Sequence, residues 1–290
     1  MMNCGPNESC CTSIEVPGGT YTRLGRTTAT LTGYRLDKYL VTVGRFRQFV
    51  NAVIGGYLPP AGSGKHKHLN GGSGLVDSGS GTPPSALETG WLTADNANIA
   101  PNGNLGCNGS FSTWTNTAGN QENLPITCEN WFEARAFCIW DGGFLPSESE
   151  WEFAGVGGSQ QRAYPWGSTD PGTLNQYAIY SCYFGGGAGP NTCTGTANIA
   201  AVGSVPLGAG LWGHLDMAGD AAEWTLDQAG LPPTTCTDCA YLTGGDYTRA
   251  THGGGYNDDL TSINPLFAVY REPLKRLEST APGFRCARIP

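Results

Sequence analysis

The segment CENWFEARAFCIWDGGFLPSESEWEFAG, Cys128 to Gly155, predicts two helices separated by a glycine turn. Apolar side chains recur at helical spacing from Cys128 to about Asp141, and Gly142-Gly143 ends that helix. The residues that share its apolar face are Trp131, Ala134, Phe137 and Cys138. Ser147 stands three residues before Glu150, which is the capping-box arrangement, so a second short helix is expected to begin there.

Upstream of this segment the chain predicts one more helix and a long irregular insertion. Apolar side chains at helical spacing indicate a helix from about Thr42 to Val53, preceded by short strands. From Gly55 to roughly Gly119 the composition turns to Gly, Ser, Asn and Pro over a length that exceeds an ordinary connection. Trp91, Cys107 and Trp114 lie within this stretch, so we expect an ordered insertion with little regular structure rather than a disordered linker.

The composition is that of a globular protein with few long helices. The chain has 290 residues, 39% of them hydrophobic, and its 8 Trp, 12 Tyr and 10 Phe suffice for a buried core. Its 44 Gly and 19 Pro predict many turns, because both residue types interrupt helix and strand periodicity. A formal charge of -8 without a cluster of Lys and Arg argues against binding to nucleic acid or to an anionic membrane. No run approaches the ~20 apolar residues of a membrane-spanning helix.

The 11 cysteines are typical of an oxidising compartment, so we expect an extracytoplasmic protein. Short loops favour three local disulfides, namely Cys182 with Cys193, Cys236 with Cys239, and Cys107 with Cys128. The CTDC spacing of Cys236 to Cys239 also occurs in redox and zinc motifs, but no second pair or βαβ pattern accompanies it, which favours a structural disulfide. The pairing of Cys4, Cys10 and Cys11 is left open.

The segment HGGGYNDDLTSI, from His252 to Ile263, concentrates polar side chains around a glycine turn. Imidazole with carboxylates can hold a divalent ion or exchange protons, so His252, Asp258 and Asp259 are candidates for a metal or acid–base centre. A solvated surface turn is the more frequent structure for such a pattern. The residues expected to form the polar floor of a pocket here are His252, Tyr256, Asn257, Asp258 and Asp259.

Other polar and aromatic residues have simpler interpretations. In KHKHL, His66 and His68 are close enough to chelate a cation, but the interleaved lysines repel one, which favours a solvated loop. Most tryptophans lie in segments expected to be core. Trp91 and Trp114 lie in the insertion, where an exposed ring would suit a sugar or a peptide, although burial is the more frequent outcome.

Five segments, in this order along the chain, resemble the family of the formylglycine-generating enzyme, also called the sulfatase-modifying factor. They are YLVTVGRFRQFV, CENWFEARAFCIWDGGFLPSESEWEFAG with YPWG, GLWGHLDMAGDAAEWTLD, GGDYTRATHGGGY and the closing GFRCAR. Together they span nearly the whole chain from about Gly19. The middle segment and the ending are the most specific of the five.

The resemblance implies an α+β fold of the formylglycine-generating-enzyme type with a C-type-lectin-like core and little regular secondary structure. It also implies a disulfide between Cys138 and Cys286, which makes the expected fold rich in disulfides. We therefore expect residues 1–18 to form a Cys-containing N-terminal segment and residues 19–290 to form a single domain, with the Gly/Ser/Asn-rich insertion at about 55–119.

The resemblance also identifies what this chain lacks. The family's enzymes oxidise a cysteine of a substrate peptide with copper and oxygen, using two cysteines that follow an Arg-Gly-Gly-Ser-type turn. The matching positions here are Asp258 and Ile263, and since soft thiolates select Cu(I) whereas a carboxylate oxygen is hard, copper is not expected. Family members that use iron carry an additional helical domain with histidines, which this chain, with 4 His, does not match.

The loop MAGDAAEWTLD resembles the family's calcium-binding loop. Asp220 stands where asparagine is usual and Glu223 matches the conventional glutamate, while Asn175 matches a second calcium position more weakly. Carboxylate and carbonyl oxygens are the hard ligands that Ca²⁺ prefers, so structural calcium is expected. The competing interpretation is that Glu223 caps a helix or forms a pair in the core beside Trp224.

Taken together, the sequence predicts an exported domain of this family without the copper cysteines. Its expected role is that of a binding or scaffold module for a small-molecule, glycan or peptide ligand. The alternative is a divergent oxidoreductase that keeps the fold and uses another metal or none. Copper or iron in the purified protein, with oxygen consumption on adding thiol peptides, would favour the alternative.

Overall fold

The computed structural model describes residues 3–5, 8–23, 27–80, 85–99, 105, 107, 112–190, 192–228, 230, 235–243, 248–265, 269–271 and 282–290. Within these ranges the helices are α1 (Val43–Ile54), α2 (Trp131–Trp140) and α3 (Glu148–Val156). The strands are β1 (Asn3–Gly5), β2 (Glu8–Ser9), β3 (Ser13–Val16), β4 (Gly19–Arg23), β5 (Thr27–Leu31), β6 (Tyr34–Asp37), β7 (Val76–Asp77), β8 (Glu223–Gln228), β9 (Cys236–Thr237), β10 (Cys239–Ala240), β11 (Arg249–His252), β12 (Val269–Arg271) and β13 (Ala287–Arg288). Short strands and long irregular connections agree with the glycine-rich composition.

Two of the three helices begin where local sequence signals place them. Thr42 caps α1 by accepting the backbone N–H of Arg45 with its side chain. Ser147 and Glu150 form the expected capping box of α3. The helix predicted from Cys128 begins later, at Trp131, because Cys128 has a φ of 75°, outside the helical region.

The strands form small sheets rather than one continuous layer. β3, β6 and β13 form an antiparallel sheet in which Leu36 of β6 lies between Ile14 and Ala287, so the two ends of the chain meet there. The N-terminal segment that we set apart as residues 1–18 therefore contributes β3 to this sheet. β4, β5 and β9 form a second sheet, β8, β11 and β12 form a third, and β7 pairs with β10.

The main core lies between α1, α2 and the C-terminal strand region. Phe46 and Phe49 of α1 contact Phe137 of α2 with ring centroids 5.6 and 5.8 Å apart, and Phe284 lies 5.3 Å from Phe137. The described part of the insertion adds Leu69, Leu75, Trp91 and Leu105 to this core. Trp91 is therefore core rather than an exposed platform.

The structure contains five disulfides: Cys4–Cys10, Cys107–Cys128, Cys138–Cys286, Cys182–Cys193 and Cys236–Cys239. Three of them join cysteines that short loops paired, Cys138–Cys286 is the one that the family resemblance implied, and Cys4–Cys10 resolves the N-terminal group, leaving Cys11 as an exposed free thiol. Cys138–Cys286 ties α2 to the end of the chain. In the described ranges, no helix is both long and apolar enough to cross a membrane.

Candidate functional site

The polar segment after β11 begins with a buried histidine. His252 pairs with Glu223 in the sheet register, and its side chain is 1% exposed. Its Nε2 lies 3.0 Å from Glu148 Oε1 and its Nδ1 lies 3.2 Å from the Pro265 carbonyl oxygen, while Trp151 stacks on the ring. Burial opposes protonation, but the hydrogen bond to Glu148 and its charge outweigh it and raise the pKa of His252. Both ring nitrogens are engaged, so His252 is a buried ion-pair partner and not a metal ligand in a solvated turn.

The next four predicted pocket residues differ in burial and in hydrogen bonding. Tyr256 is buried, and burial followed by the charge of Asp258 raises its pKa. Asn257 is half-buried, whereas Asp259 is exposed and accepts the N–H groups of residues 261 and 262. The Asp258 carboxylate accepts the backbone N–H of Gly255 at 2.8 Å. Asp258 and Asp259 therefore brace the turn, and a pocket floor formed together with His252 stays a prediction.

The two positions that match the family's copper cysteines differ in exposure as well as chemistry. Asp258 is half-buried, and its carbonyl oxygen accepts the backbone N–H of Ser181 at 2.9 Å. Ile263 is 0% exposed and belongs to an apolar cluster with Ala178, Tyr180 and Ala218. An aliphatic side chain in an apolar cluster offers no donor, so this pair of positions does not fit a copper ion.

In the candidate calcium loop, the carboxylate of Glu223 is paired with an arginine. Glu223 Oε1 and Oε2 each accept an N–H of the Arg285 guanidinium at 2.7 Å, and both side chains are fully buried. Arg285 comes from the GFRCAR ending, a partner that sequence spacing could not reveal. Glu223 therefore does not fit as a calcium ligand, which agrees with the alternative of a pair in the core.

Asp220 keeps one oxygen available for a cation. Its Oδ1 accepts the N–H of Ala200 at 2.9 Å, whereas no described residue donates to Oδ2. Burial first, and the neighbouring Asp216 second, raise the pKa of Asp220 well above its ordinary value. The Oδ1 atom of Asn175 is also buried without a donor among the described residues. Calcium at this loop stays a prediction, with Asp220 as its candidate ligand.

The structure also contains a second cluster of buried charges, which the sequence did not predict. Every residue of α3 is buried, including Glu148, Glu150 and Glu152. Glu150 Oε2 lies 3.0 Å from His66 Nε2, and Glu88 Oε2 lies 3.0 Å from His66 Nδ1. The prediction of a solvated loop at His66 was wrong, because the side chain is 0% exposed.

His66 is held as a cation between these two carboxylates. Burial opposes protonation, but the charges of Glu150 and Glu88 raise the pKa of His66 to about 10. In turn, His66 outweighs burial and lowers the pKa of both glutamates. Its neighbour His68 is half-buried, and burial lowers its pKa. KHKHL is thus a structural anchor of the insertion on α3.

One cluster of three potential metal-ligand atoms lies elsewhere in the described ranges, with Asp37, Asp141 and Cys286 within 4.8 Å of one another. Cys286 is in a disulfide, and Arg45 contacts Asp37 at 2.9 Å and Asp141 at 2.7 Å. Arg288 contacts both carboxylates as well. The ligand atoms are committed to structural pairs, so this cluster is not a metal centre.

Comparison with known proteins places this geometry in a family. The model of the "Sulfatase-modifying factor enzyme 1-like domain" matches residues 2–290. A formylglycine-generating enzyme of Thermomonospora curvata is 29% identical over 318 residues, covering 98% of this chain and 96% of that protein. The "Inactive C-alpha-formylglycine-generating enzyme 2" of Mus musculus is 34% identical, covering 57% of this chain and 49% of that protein.

The relatives also include a protein with a different enzyme name. The hercynine oxygenase of Mycobacterium tuberculosis is 32% identical over 161 residues, which cover 52% of this chain and 34% of that protein. Among solved structures, PvdO from Pseudomonas aeruginosa superposes with a TM-score of 0.61 at 16% identity, covering 100% of this chain and 97% of that one, which shows the fold alone. From the match over residues 2–290, the chain belongs to the family of sulfatase-modifying factor enzyme 1-like domains.

Proposed function

We propose that this chain is a binding module of the family that does not carry out copper-dependent cysteine oxidation. The observation that carries the proposal is Ile263, fully buried in an apolar cluster at the position of a copper-binding thiol. Asp258, at the other position, offers a hard oxygen already engaged with Gly255. Cuprous copper needs soft ligands, and neither position supplies one.

The similarity to a protein named inactive in Mus musculus supports this proposal, since it indicates that the family contains members without the oxidation activity. A retained fold without the oxidising centre is suited to binding, because the scaffold still positions its surface loops.

The proposed location is extracytoplasmic, and the proposed cofactor is structural calcium. Five disulfides support an oxidising compartment, where such bonds form and persist. Calcium is abundant outside the cytoplasm, and Asp220 offers a buried oxygen without a donor among the described residues. Glu223 takes no part in this proposal, since Arg285 occupies both of its oxygens.

The test is copper binding and oxidation measured side by side with an active relative. Purified protein, loaded with Cu(I) and passed over a desalting column, should retain no stoichiometric copper. A sulfatase-derived cysteine peptide incubated with it and oxygen should yield no peptidyl aldehyde by mass spectrometry. The Thermomonospora curvata enzyme serves as the positive control. Stoichiometric copper with aldehyde formation by this chain would refute the proposal.

The alternative of a divergent oxidoreductase is favoured by the match to hercynine oxygenase over half of this chain. The described histidines do not assemble a metal site, since His66 and His252 are each paired with buried glutamates. Burial and the charge of Arg285 lower the pKa of the fourth histidine, His214, to about 3. Iron found at one equivalent by elemental analysis of purified protein would decide for the alternative.

A further inference from the structure

A cavity of about 440 Å³ lies away from the glycine turn, at the opposite end of β11. Its walls come from α2, from the ends of β8 and β11, and from residues 86–95 of the insertion. The volume falls within the range of about 300–1,000 Å³ that is usual for small-molecule sites. The cavity belongs to neither the copper-site positions nor the calcium loop.

Two arginines and a tryptophan form the polar end of this cavity. The Arg249 guanidinium lies 3.7 Å from the centroid of the Trp131 ring, and the Arg135 guanidinium lies 5.4 Å from it. Trp131 is 2% exposed and its indole N–H donates to the Thr225 carbonyl at 2.8 Å, so the ring is a fixed platform. Arginine stacked on a fixed ring is preorganised, which reduces the entropy lost on binding a ligand.

The two guanidinium groups have more donors than the described residues satisfy. Arg135 is 7% exposed, its Nε has no acceptor among the described residues, and its nearest carboxylate oxygen, on Asp95, lies at 3.7 Å. Arg249 donates from Nη1 to the Leu226 carbonyl at 3.1 Å, while its Nε also lacks an acceptor there. Burial, and then the charge of Arg135, lower the pKa of Arg249 to about 9. An anion between them would relieve both the desolvation and the repulsion.

The carboxylates along the walls already have partners. Asp77 accepts the backbone N–H groups of Leu242 and Thr243, and Glu88 Oε2 is paired with His66 at 3.0 Å, whereas Glu88 Oε1 has no donor among the described residues. Asp95 accepts the N–H of Leu92. Three acidic side chains on the walls disfavour a dianion such as phosphate, whereas a planar monoanion needs only the two guanidinium forks.

The open side of the cavity is apolar. Leu87 and Leu92 are 41% and 51% exposed, and Phe132 and Leu242 complete this rim. Exposed leucines beside a cavity can cover a hydrocarbon or aromatic group of a bound molecule. The site therefore combines a cationic end with an apolar opening.

We propose that this cavity binds the carboxylate of an amphipathic organic acid, with Arg135 and Arg249 as its two donors and the leucine rim around its apolar body. The inference rests on the proposed binding role and names the ligand class. A free acid and the C-terminus of a peptide share this chemistry.

The experiment is isothermal titration calorimetry of the full chain with matched acids and amides. Octanoate and phenylacetate should bind, and their amides should bind at least tenfold more weakly. A hexapeptide ending in Leu with a free carboxylate, compared with its amidated form, distinguishes a peptide source from a free acid. Equal affinity for acid and amide, no binding of any of these acids at millimolar concentration, or equal affinity for inorganic phosphate would overturn the proposal.

Substitutions of the two arginines test whether the organic acid binds in this cavity. Arg249→Met and Arg135→Met should each weaken acid binding at least tenfold, and Arg249→Lys should recover only part of it, because a lysine lacks the fork. Arg47→Met is the matched control, since Arg47 also lies over a tryptophan, Trp114, at 4.3 Å but is paired with Glu122. An equal loss in Arg47→Met would contradict the assignment.

Circular dichroism checks that each variant folds. If the arginine variants unfold, the comparison of acid with amide on the unmodified chain still decides. The copper-binding test depends on the turn after β11, whereas the titration with organic acids depends on the cavity. The two outcomes are therefore independent.

Discussion

Replacing Arg285, the buried partner of Glu223, by methionine should lower the stability of the protein more than replacing a partly exposed charge such as Lys38. The Arg285 guanidinium donates two hydrogen bonds of 2.7 Å to Glu223, and both side chains are 0% exposed. It also donates to the backbone carbonyls of Asp37, Lys38 and Leu215 at 3.1, 3.1 and 2.9 Å. Methionine fills similar space but leaves the Glu223 carboxylate buried without its cation.

The size of the effect follows from the buried charge. Removing one partner of a buried ion pair costs about 3–5 kcal/mol, since the remaining charge is left uncompensated. An unfolding entropy of about 2.1 cal/mol/K per residue gives about 0.6 kcal/mol/K for a chain of this length, so the melting temperature should fall by about 5–8 °C. The three carbonyls that lose their donor add about 1 kcal/mol each to this loss, which brings the expected fall to about 10–13 °C.

Differential scanning calorimetry of the unmodified chain and three variants measures this. Lys38→Met is the control, because its pair with Glu8 is partly exposed at 20% and 33% and is worth about 0–1 kcal/mol. The double variant Glu223→Met with Arg285→Met should melt above Arg285→Met alone, since no unpaired charge remains. The reasoning is refuted if Arg285→Met melts within about 2 °C of the unmodified chain, or if the double variant melts no higher than the single one. The fall in melting temperature caused by Arg285→Met should be the same with and without a calcium chelator.

Three further outcomes are expected. Replacing Cys138 and Cys286 by alanine should lower stability by about 5 kcal/mol, from the entropy of a loop of 148 residues, and unreduced peptide mapping of the parent should show the two joined. If calcium at Asp220 is present at 100 times its dissociation constant, a chelator should lower the melting temperature by about 4 °C. An unchanged melting temperature at saturating chelator would show that calcium does not bind there. The folded pKa of His66, about 10, exceeds its ordinary 6.5, so the stability from its charged form is complete below about pH 6.5 and is lost as pH rises toward 10. The difference in melting temperature between the parent and His66→Gln should therefore shrink over that range, and a constant difference would contradict the assignment.

Local signals in the sequence predicted the helices well because each signal acts over a few residues. The capping box of Ser147 and Glu150 and the cap at Thr42 involve atoms within one helical turn. The same reasoning could not reach the partners of the buried charges. Glu150 meets His66 from 84 residues away, and Glu148 meets His252 from 104 residues away.

The partner of Glu223 in the candidate calcium loop could not be found from the sequence for the same reason. From the sequence, Glu223 is a candidate calcium ligand, whereas in the structure its carboxylate is paired with the C-terminal Arg285. The residue types at Asp258 and Ile263 were readable from the sequence, but the full burial of Ile263 was not. A pattern such as KHKHL states which side chains are polar, whereas only the fold decides which of them are solvated.

The apolar residue at one copper position and the buried charge pairs both contribute to a stable scaffold. Burying an isoleucine contributes about 1.5–3 kcal/mol to stability, so Ile263 stabilises a position where a copper thiol would need solvent and metal access. The pair of Glu148 with His252 joins α3 to β11, and the pair of Glu223 with Arg285 joins β8 to the C-terminal segment. The residues that line the proposed binding cavity at the other end of β11 are separate from these pairs, so the cavity does not require an oxidising centre.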